Sequence, residues 1–277
     1  DCELHGYAVG SFNTPTLETL RAVIHAAESL RVPVVMNHAE NEEAVVPIEV
    51  IAPLMTEYAK NAKVPVAVHI DHGETFPYLM KAVRLGFTSI MYDCSGLSYK
   101  ENAANTKAVV EMAAKYGVAV EAEIGSMGRD EFTSVGGNGS EEEVEGCYTD
   151  PDQAARFVRD TGVGALACSF GTVHGIYLRA LKLDTERIGK IREKTGVPVV
   201  MHGGSGISDE DFRKCIKQGV RKINFYTYAA KDAGELIKVK LNEKDSIPYF
   251  HDIAVWGRES MKETYLKALK VFSHMDT

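Results

Sequence analysis

The sequence predicts a closed (β/α)8 barrel, a TIM barrel of the α/β class built as a single domain over residues 1–277. Three observations predict it. Short apolar runs alternate eight times with amphipathic stretches of helical period. The runs are apolar at nearly every position, as expected of parallel strands covered by helices rather than of half-exposed strands. The length of 277 residues suits one such barrel.

In chain order, a strand over 7–12 precedes a helix over 16–30, and a strand over 33–36 precedes a helix over 48–62. Strands at 65–70 and 88–92 lead into helices at 76–85 and 101–116. The fifth strand, 118–124, is separated from a helix at 151–161 by a long Gly-rich stretch. Strands at 164–169 and 198–202 lead into helices at 185–194 and 209–218, and a strand at 222–226 opens helical segments that run to the C-terminus. Helix punctuation agrees with these bounds. Ser98 or Asn102 can cap one start, Asp150-Pro151 opens a second and Ser208-Asp209-Glu210 a third. Lys115-Tyr116-Gly117 and Lys217-Gln218-Gly219 close helices with basic residues and glycine. The period is about 30 residues without an internal sequence repeat. No G-x-G-x-x-G follows the first strand, which argues against the open dinucleotide-binding sheet.

Hydrophobic content of 45% and charged content of 25% are ordinary for a globular chain able to bury its own core. The net charge of −8 opposes binding to nucleic acid or to an anionic membrane surface. An anionic substrate must therefore meet a local positive site, either a metal or a set of backbone N–H groups. Cys2, Cys94, Cys147, Cys168 and Cys215 are scattered, odd in number and without a C-x-x-C pair, so reduced thiols and a cytoplasmic location are expected. No signal peptide or bilayer-length apolar run is read. The first residue is Asp rather than Met, so a short segment is expected ahead of it.

In a barrel, chemistry gathers at the C-terminal ends of the strands. His72, His174 and His202 fall at or just beyond the third, sixth and seventh strand ends. Three imidazoles leave a divalent metal an open position for substrate, as in a catalytic rather than a structural zinc site. The other histidines read differently: His5, His25, His251 and His274 as solvated, His69 as a hydrogen-bonded core residue, and His38 as open to either reading. Asp71, beside His72, can exchange a proton with a substrate hydroxyl or orient a ligand histidine. Glu121 and Glu123 alternate onto one face, the barrel interior. Glu123, nearer the mouth, is either an additional or alternative metal ligand or half of an interior ion pair with a residue such as Lys222.

Gly203-Gly204-Ser205-Gly206 after the seventh strand and Asn224-Phe225-Tyr226-Thr227 at the end of the eighth suit a phosphate, which barrels often hold between these two loops. Gly175 can add a backbone donor. The stretch 125–146 is expected to be a functional lid, with Asp130 or Glu131 as a carboxylate base and Glu141-Glu142-Glu143 as a solvated face.

These motifs resemble those of the class II (zinc-dependent) fructose-bisphosphate and tagatose-bisphosphate aldolases. Asp71-His72-Gly73, Glu121-Ala122-Glu123-Ile124-Gly125, Gly171-Thr172-Val173-His174-Gly175, His202-Gly203-Gly204-Ser205-Gly206 and Lys222-Ile223-Asn224 carry the likeness in order along the chain. The stretch 7–13 is similar to the family's first strand. The resemblance implies reversible cleavage of a phosphorylated ketose to dihydroxyacetone phosphate and an aldehyde. It implies Zn2+ on His72, His174 and His202, with Glu123 as an alternative ligand, and a monovalent cation (Na+ or K+) nearby. It implies that Asp71 handles the proton on the C4 hydroxyl and that Asn224 steadies the enediolate. Gly175, Gly203, Ser205 and Thr227 would hold the phosphate, and Asp130 or Glu131 would be the lid base. A homodimer or homotetramer is expected by analogy.

One departure bears on the substrate. Where the family carries a small apolar residue followed by Asp or Ala, this chain has Phe225 and Tyr226, and Tyr226 is expected to reshape the pocket for the aldehyde half. A tagatose-bisphosphate-type enzyme with an altered aldehyde pocket is therefore an alternative, as are a barrel that binds a sugar phosphate without turnover and a metal hydrolase. A Schiff-base route needs a lysine at a strand end, and Lys222 is read at the start of its strand.

Overall fold

The computed structural model describes residues 1–125, 148–175, 182–243 and 247–275. Eight parallel strands close into a barrel in sequence order, β1 to β8, with β8 hydrogen-bonded back to β1. The strands are β1 (Val9–Asn13), β2 (Val34–Ala39), β3 (Val66–Gly73), β4 (Ser89–Tyr92), β5 (Ala119–Ile124), β6 (Ala165–Cys168), β7 (Val199–Met201) and β8 (Val220–Asn224). The helices are α1 (Cys2–His5), α2 (Leu17–Leu30), α3 (Ile48–Asn61), α4 (Phe76–Arg84), α5 (Tyr99–Ala114), α6 (Pro151–Thr161), α7 (Thr185–Thr195), α8 (Asp209–Gln218), α9 (Thr227–Leu241) and α10 (Phe250–Phe272), with a 3-10 turn at Glu40–Ala44. No helix of the described residues is long and apolar enough to cross a membrane.

Helix starts follow side-chain chemistry. Ser98 rather than Asn102 caps α5, where its hydroxyl accepts from Glu101 N and Glu101 reaches back to complete a capping box. Asp150 accepts from Gln153 N ahead of Pro151, and Ser208 accepts from Asp211 N. Gly162 and Gly196 end α6 and α7 at φ 70° and 71°, a left-handed conformation that costs glycine little.

Two cores result. Outward-facing strand residues such as Phe12, Met36, Ile70, Ile90, Leu166 and Ile223 pack against the helices in one large apolar cluster. Inside the barrel, Met91, Ala167 and Val200 form a small separate cluster. Above it the interior turns polar, with His69, Glu121, Lys222, Asp71, His202 and Asn224 all contributing. Buried charges are costly unless paired, and this layer pairs them.

Strand register corrects one sequence expectation. β8 begins at Val220, so Lys222 sits in mid-strand and Tyr226 lies beyond the strand as the N-cap of α9. β3 runs on to Gly73, with a register shift against β4 between Ile70 and Gly73. That shift accompanies His72 at φ 44°, a left-handed backbone that is uncommon for a non-glycine residue and costs energy. Cys2, Cys94, Cys168 and Cys215 are free thiols. His5 and His251 are exposed as expected, whereas His25 and His274 are half-buried, and His274 Nε2 lies 3.0 Å from the Gly6 carbonyl.

Candidate active site

The C-terminal ends of β3, β6 and β7 bring His72, His174 and His202 together. Their ring centroids lie 4.7 to 5.6 Å apart, and one nitrogen from each lies within 4.8 Å of the others. The hydrogen bonds fix which nitrogens face the centre. His72 Nδ1 lies 2.7 Å from Asp93 Oδ2, and His202 Nε2 lies 2.9 Å from Glu121 Oε1. Each carboxylate holds one ring nitrogen and leaves the other, His72 Nε2 and His202 Nδ1, facing its counterpart at 2.9 Å. His174 Nδ1 is buried with no hydrogen-bond partner. Burial, then the proximity of the His72 and His202 rings, holds the His174 imidazole well below its ordinary pKa, so it is neutral. Three converging imidazoles, two of them oriented by carboxylates, make a donor set that fits a divalent cation such as zinc. A buried nitrogen without a partner is the feature that such an ion would satisfy.

Glu123 belongs to a second potential metal-holding group with His72 and Asp93. The interior ion pair weighed for Glu123 is made by Glu121 instead, whose Oε2 accepts from Lys222 Nζ at 2.8 Å. Burial pushes the Glu121 carboxyl up, but Lys222 and the His202 hydrogen bond outweigh it, and the group lies well below the usual carboxylate range. Lys222 is also 3.3 Å from His69 Nε2, and His69 Nδ1 bonds Ser89 Oγ at 2.6 Å. His69 is thus the hydrogen-bonded core residue expected, and burial lowers its pKa to about 3. Lys222 is locked beneath the site, a poor position for a Schiff base.

Asp71 is 5% exposed and accepts from Asn224 Nδ2 at 2.9 Å. Burial pushes its carboxyl up, but the surrounding His72, His202 and Lys222 outweigh it and leave it at about 2, so it is ionised. Asn224 Oδ1 is buried without a partner, an acceptor that a substrate hydroxyl would satisfy.

One pocket joins these groups to the glycines. It is lined by Asp71, His72, His174 and Asn224, and by Gly175, Gly203, Gly204, Ser205 and Thr227 from the β6, β7 and β8 ends. Gly203 adopts φ 64°, and a Cβ there would collide with the Val173 carbonyl. At Gly204 a Cβ would stand 2.7 Å from Asn224 O. The β7 and β8 loops therefore approach as only glycine permits. Ser205 Oγ accepts from Tyr226 N and Tyr228 N at 3.3 Å each, at the N-terminus of the 15-residue α9. Backbone donors and helix polarity here suit an anion. Thr227 is the first residue of that helix.

Every described residue expected at the site reaches this pocket or its metal-holding groups. Asp130 and Glu131 lie outside the described residues. Sequence reasoning missed Asp93, Glu42 and the orienting role of Glu121. Asp93 stands just past β4, so the strand-end rule that found the histidines could have found it. Glu42 lies in a charged turn that reads as solvent-facing.

A family profile described as fructose-bisphosphate aldolase class-II matches residues 1–277. A probable fructose-bisphosphate aldolase of Bacillus subtilis (strain 168) is 37% identical over 279 residues, covering 96% of this chain and 92% of that protein. A sulfofructosephosphate aldolase of Alkalicoccus urumqiensis is 35% identical over 269 residues, covering 96% and 91%. The crystal structure of the YdjI aldolase from Escherichia coli K12 superposes with a TM-score of 0.84 at 33% identity, over 96% of this chain and 92% of that one. The chain belongs to the class II fructose-bisphosphate aldolase family, whose members are typically zinc-dependent lyases.

Proposed function

We propose that this class II aldolase cleaves a ketose 1-phosphate or ketose 1,6-bisphosphate reversibly to dihydroxyacetone phosphate and an aldehyde. The observation that carries this reading is the meeting of three converging imidazoles, an ionised Asp71 and a glycine-lined anion wall at a single site.

His72, His174 and His202 would hold the metal, with Glu123 as the alternative ligand. When bound, a divalent ion supplies Lewis-acid charge to oxygens of the ketose, and so lowers the cost of carbanion character at C3. The protein's own residues do the rest. Gly175, Gly203 and Thr227 would offer backbone donors to the phosphate, and Ser205 its hydroxyl, once a ligand competes for the α9 N–H groups that Ser205 now accepts. Asp71 would take the C4 hydroxyl proton as the C3–C4 bond breaks. The bonding pair stays with the dihydroxyacetone phosphate half, and the other half leaves as an aldehyde. A second group must then return a proton to C3, the role for which Asp130 and Glu131 are the sequence candidates. Asn224 would hold Asp71 in place through its amide N–H and offer Oδ1 to a substrate hydroxyl.

The curated relatives named above share a phosphorylated ketose in their names and differ at its other end. That supports a constant dihydroxyacetone phosphate half and a variable aldehyde half. Prolonged chelation should abolish release of dihydroxyacetone phosphate from a ketose phosphate, and added zinc should restore it. Undiminished cleavage by protein shown to be metal-free would overturn the reading. A homodimer or homotetramer is a separate part of the proposal, tested by light scattering on the eluting peak.

A further inference from the structure

Beneath the three histidines the barrel interior holds a lysine that does not line the pocket. Lys222 sits in mid-strand on β8, and its side chain is 13% exposed. Its Nζ donates to Glu121 Oε2 on β5 at 2.8 Å. On the other side it lies 3.3 Å from His69 Nε2 on β3. An ammonium donates and never accepts, so His69 Nε2 is the acceptor and the His69 proton sits on Nδ1. From there it is donated to Ser89 Oγ at 2.6 Å. His69 is neutral, its pKa lowered to about 3 by burial and then by Lys222. Three strands besides β8 therefore fix where the Lys222 charge stands: β5 through Glu121, β3 through His69 and β4 through Ser89.

Glu121 passes that placement upward. Its Oε1 lies 2.9 Å from His202 Nε2. The carboxyl is 3% exposed, and burial opposes its charge, but Lys222 is the largest of the influences that overcome burial and keep it ionised. An ionised carboxylate only accepts, so His202 Nε2 carries the proton. A rival donor asks for the opposite. Asn224 Nδ2 stands 3.4 Å from the same His202 nitrogen, but it already donates to Asp71 Oδ1 at 2.9 Å. The shorter, charge-assisted contact decides. His202 Nδ1 is thereby left for an ion, facing His72 Nε2 at 2.9 Å. A buried carboxylate that loses its cation is strongly disfavoured where it stands. Without Lys222 the anchor on Oε2 is gone, and Oε1 is no longer held against the ring.

We infer that Lys222 is a positioning residue for the metal centre, acting through Glu121 to hold His202 with Nε2 protonated and Nδ1 presented to a divalent ion. The inference rests on the metal site of the aldolase reading given above. It makes an opposite prediction from charge alone. A lysine near a divalent cation repels it, so deleting Lys222 should tighten zinc if charge were its only influence. If it acts through Glu121, deleting it should weaken zinc, and only while Glu121 is present.

The test is a double-mutant cycle read in zinc affinity, by competition with a chromophoric chelator at pH 8. The four proteins are the native chain, Lys222→Met, Glu121→Gln and the double variant, with thermal melts of the metal-free forms as the control on folding. Lys222→Met keeps the length of the side chain and removes its charge and donors. It should weaken zinc about tenfold or more in the native background, the scale of losing a ligand's orienting partner. In the Glu121→Gln background the same change should leave zinc affinity level or tighten it. A second readout is nitrogen-detected NMR of the metal-free proteins, with His202 assigned by its loss in His202→Gln. Native His202 should carry its proton on Nε2, and Lys222→Met should move part of the population to Nδ1. Tighter or unchanged zinc in Lys222→Met, an equal loss in both backgrounds, or a native His202 protonated on Nδ1 would each overturn the inference. If Lys222→Met does not fold, Lys222→Gln, which keeps one N–H for Glu121, takes its place and should weaken zinc by a few fold; native affinity in that variant would overturn the inference. Native protein that binds no zinc would overturn the metal site and the inference together. Zinc uptake without cleavage of any ketose phosphate would overturn the aldolase reading and leave the inference standing.

Discussion

Replacing Asp93 with Asn should weaken zinc binding while leaving the barrel folded. The two oxygens of Asp93 do different work. Oδ1 accepts from Ser95 N at 3.1 Å and from Ser95 Oγ at 2.8 Å, while Oδ2 faces His72 Nδ1 at 2.7 Å. With the proton held on Nδ1, His72 Nε2 presents a lone pair toward His202 Nδ1, 2.9 Å away. Asn matches the volume of Asp but carries one acceptor and one NH2. If the amide oxygen stays on Ser95, the NH2 meets His72 and drives its proton to Nε2, the nitrogen the metal needs. If the oxygen turns to His72, the NH2 is set against the Ser95 N–H. Losing the partner that orients a ligand histidine costs about 10- to 100-fold in metal affinity, or roughly 1.4–2.8 kcal/mol. His72 adds to the effect, because its backbone at φ 44° stores about 1–3 kcal/mol that such contacts offset. The assay is zinc competition against a chromophoric chelator for both proteins, with thermal melts of the metal-free forms as a control on folding. Equal zinc affinities with matching melts would refute the argument that Asp93 sets the His72 tautomer.

Asp71→Asn should lower kcat for ketose cleavage by about 10²- to 10⁴-fold with zinc affinity nearly unchanged. A parallel fall in both would reassign Asp71 to orienting a ligand. A third prediction concerns pH. His38 is fully buried on the outer side of β2, 3.4 Å from Glu42, and its ring nitrogens make no hydrogen bond. Burial lowers its pKa to about 4, with Glu43 and Lys81 acting in opposite senses. The native state therefore binds this proton less readily than the unfolded chain. The stability that the neutral ring contributes is complete above pH ~6.5 and drains away as pH falls toward 4, a loss on the order of 2 kcal/mol at pH 5. Urea midpoints at pH 5 and pH 7 should differ less in His38→Gln than in the native protein, and an unchanged difference would count against this account.

How much of this was written in the sequence follows from which interactions are local. Strand and helix positions were legible because burial on both faces imposes apolar runs, and because caps such as Ser98, Asp150 and Ser208 satisfy backbone N–H groups three residues away. His72, His174 and His202 were legible because a barrel sends all strand ends to one mouth, so chain position alone placed them together. Which carboxylate serves which cation was not legible. Glu121 and Glu123 are two residues apart on one face, and only the closure of the barrel, which sets the heights of β5 and β8 across its interior, decides that Glu121 takes Lys222 while Glu123 joins His72 and Asp93. The same holds for β8, whose start at Val220 moved Lys222 into mid-strand and Tyr226 onto a helix cap. Asp93 and Glu42 look like ordinary polar residues after a strand and in a charged turn. Their burial comes from segments distant in sequence closing over them, which no local pattern encodes.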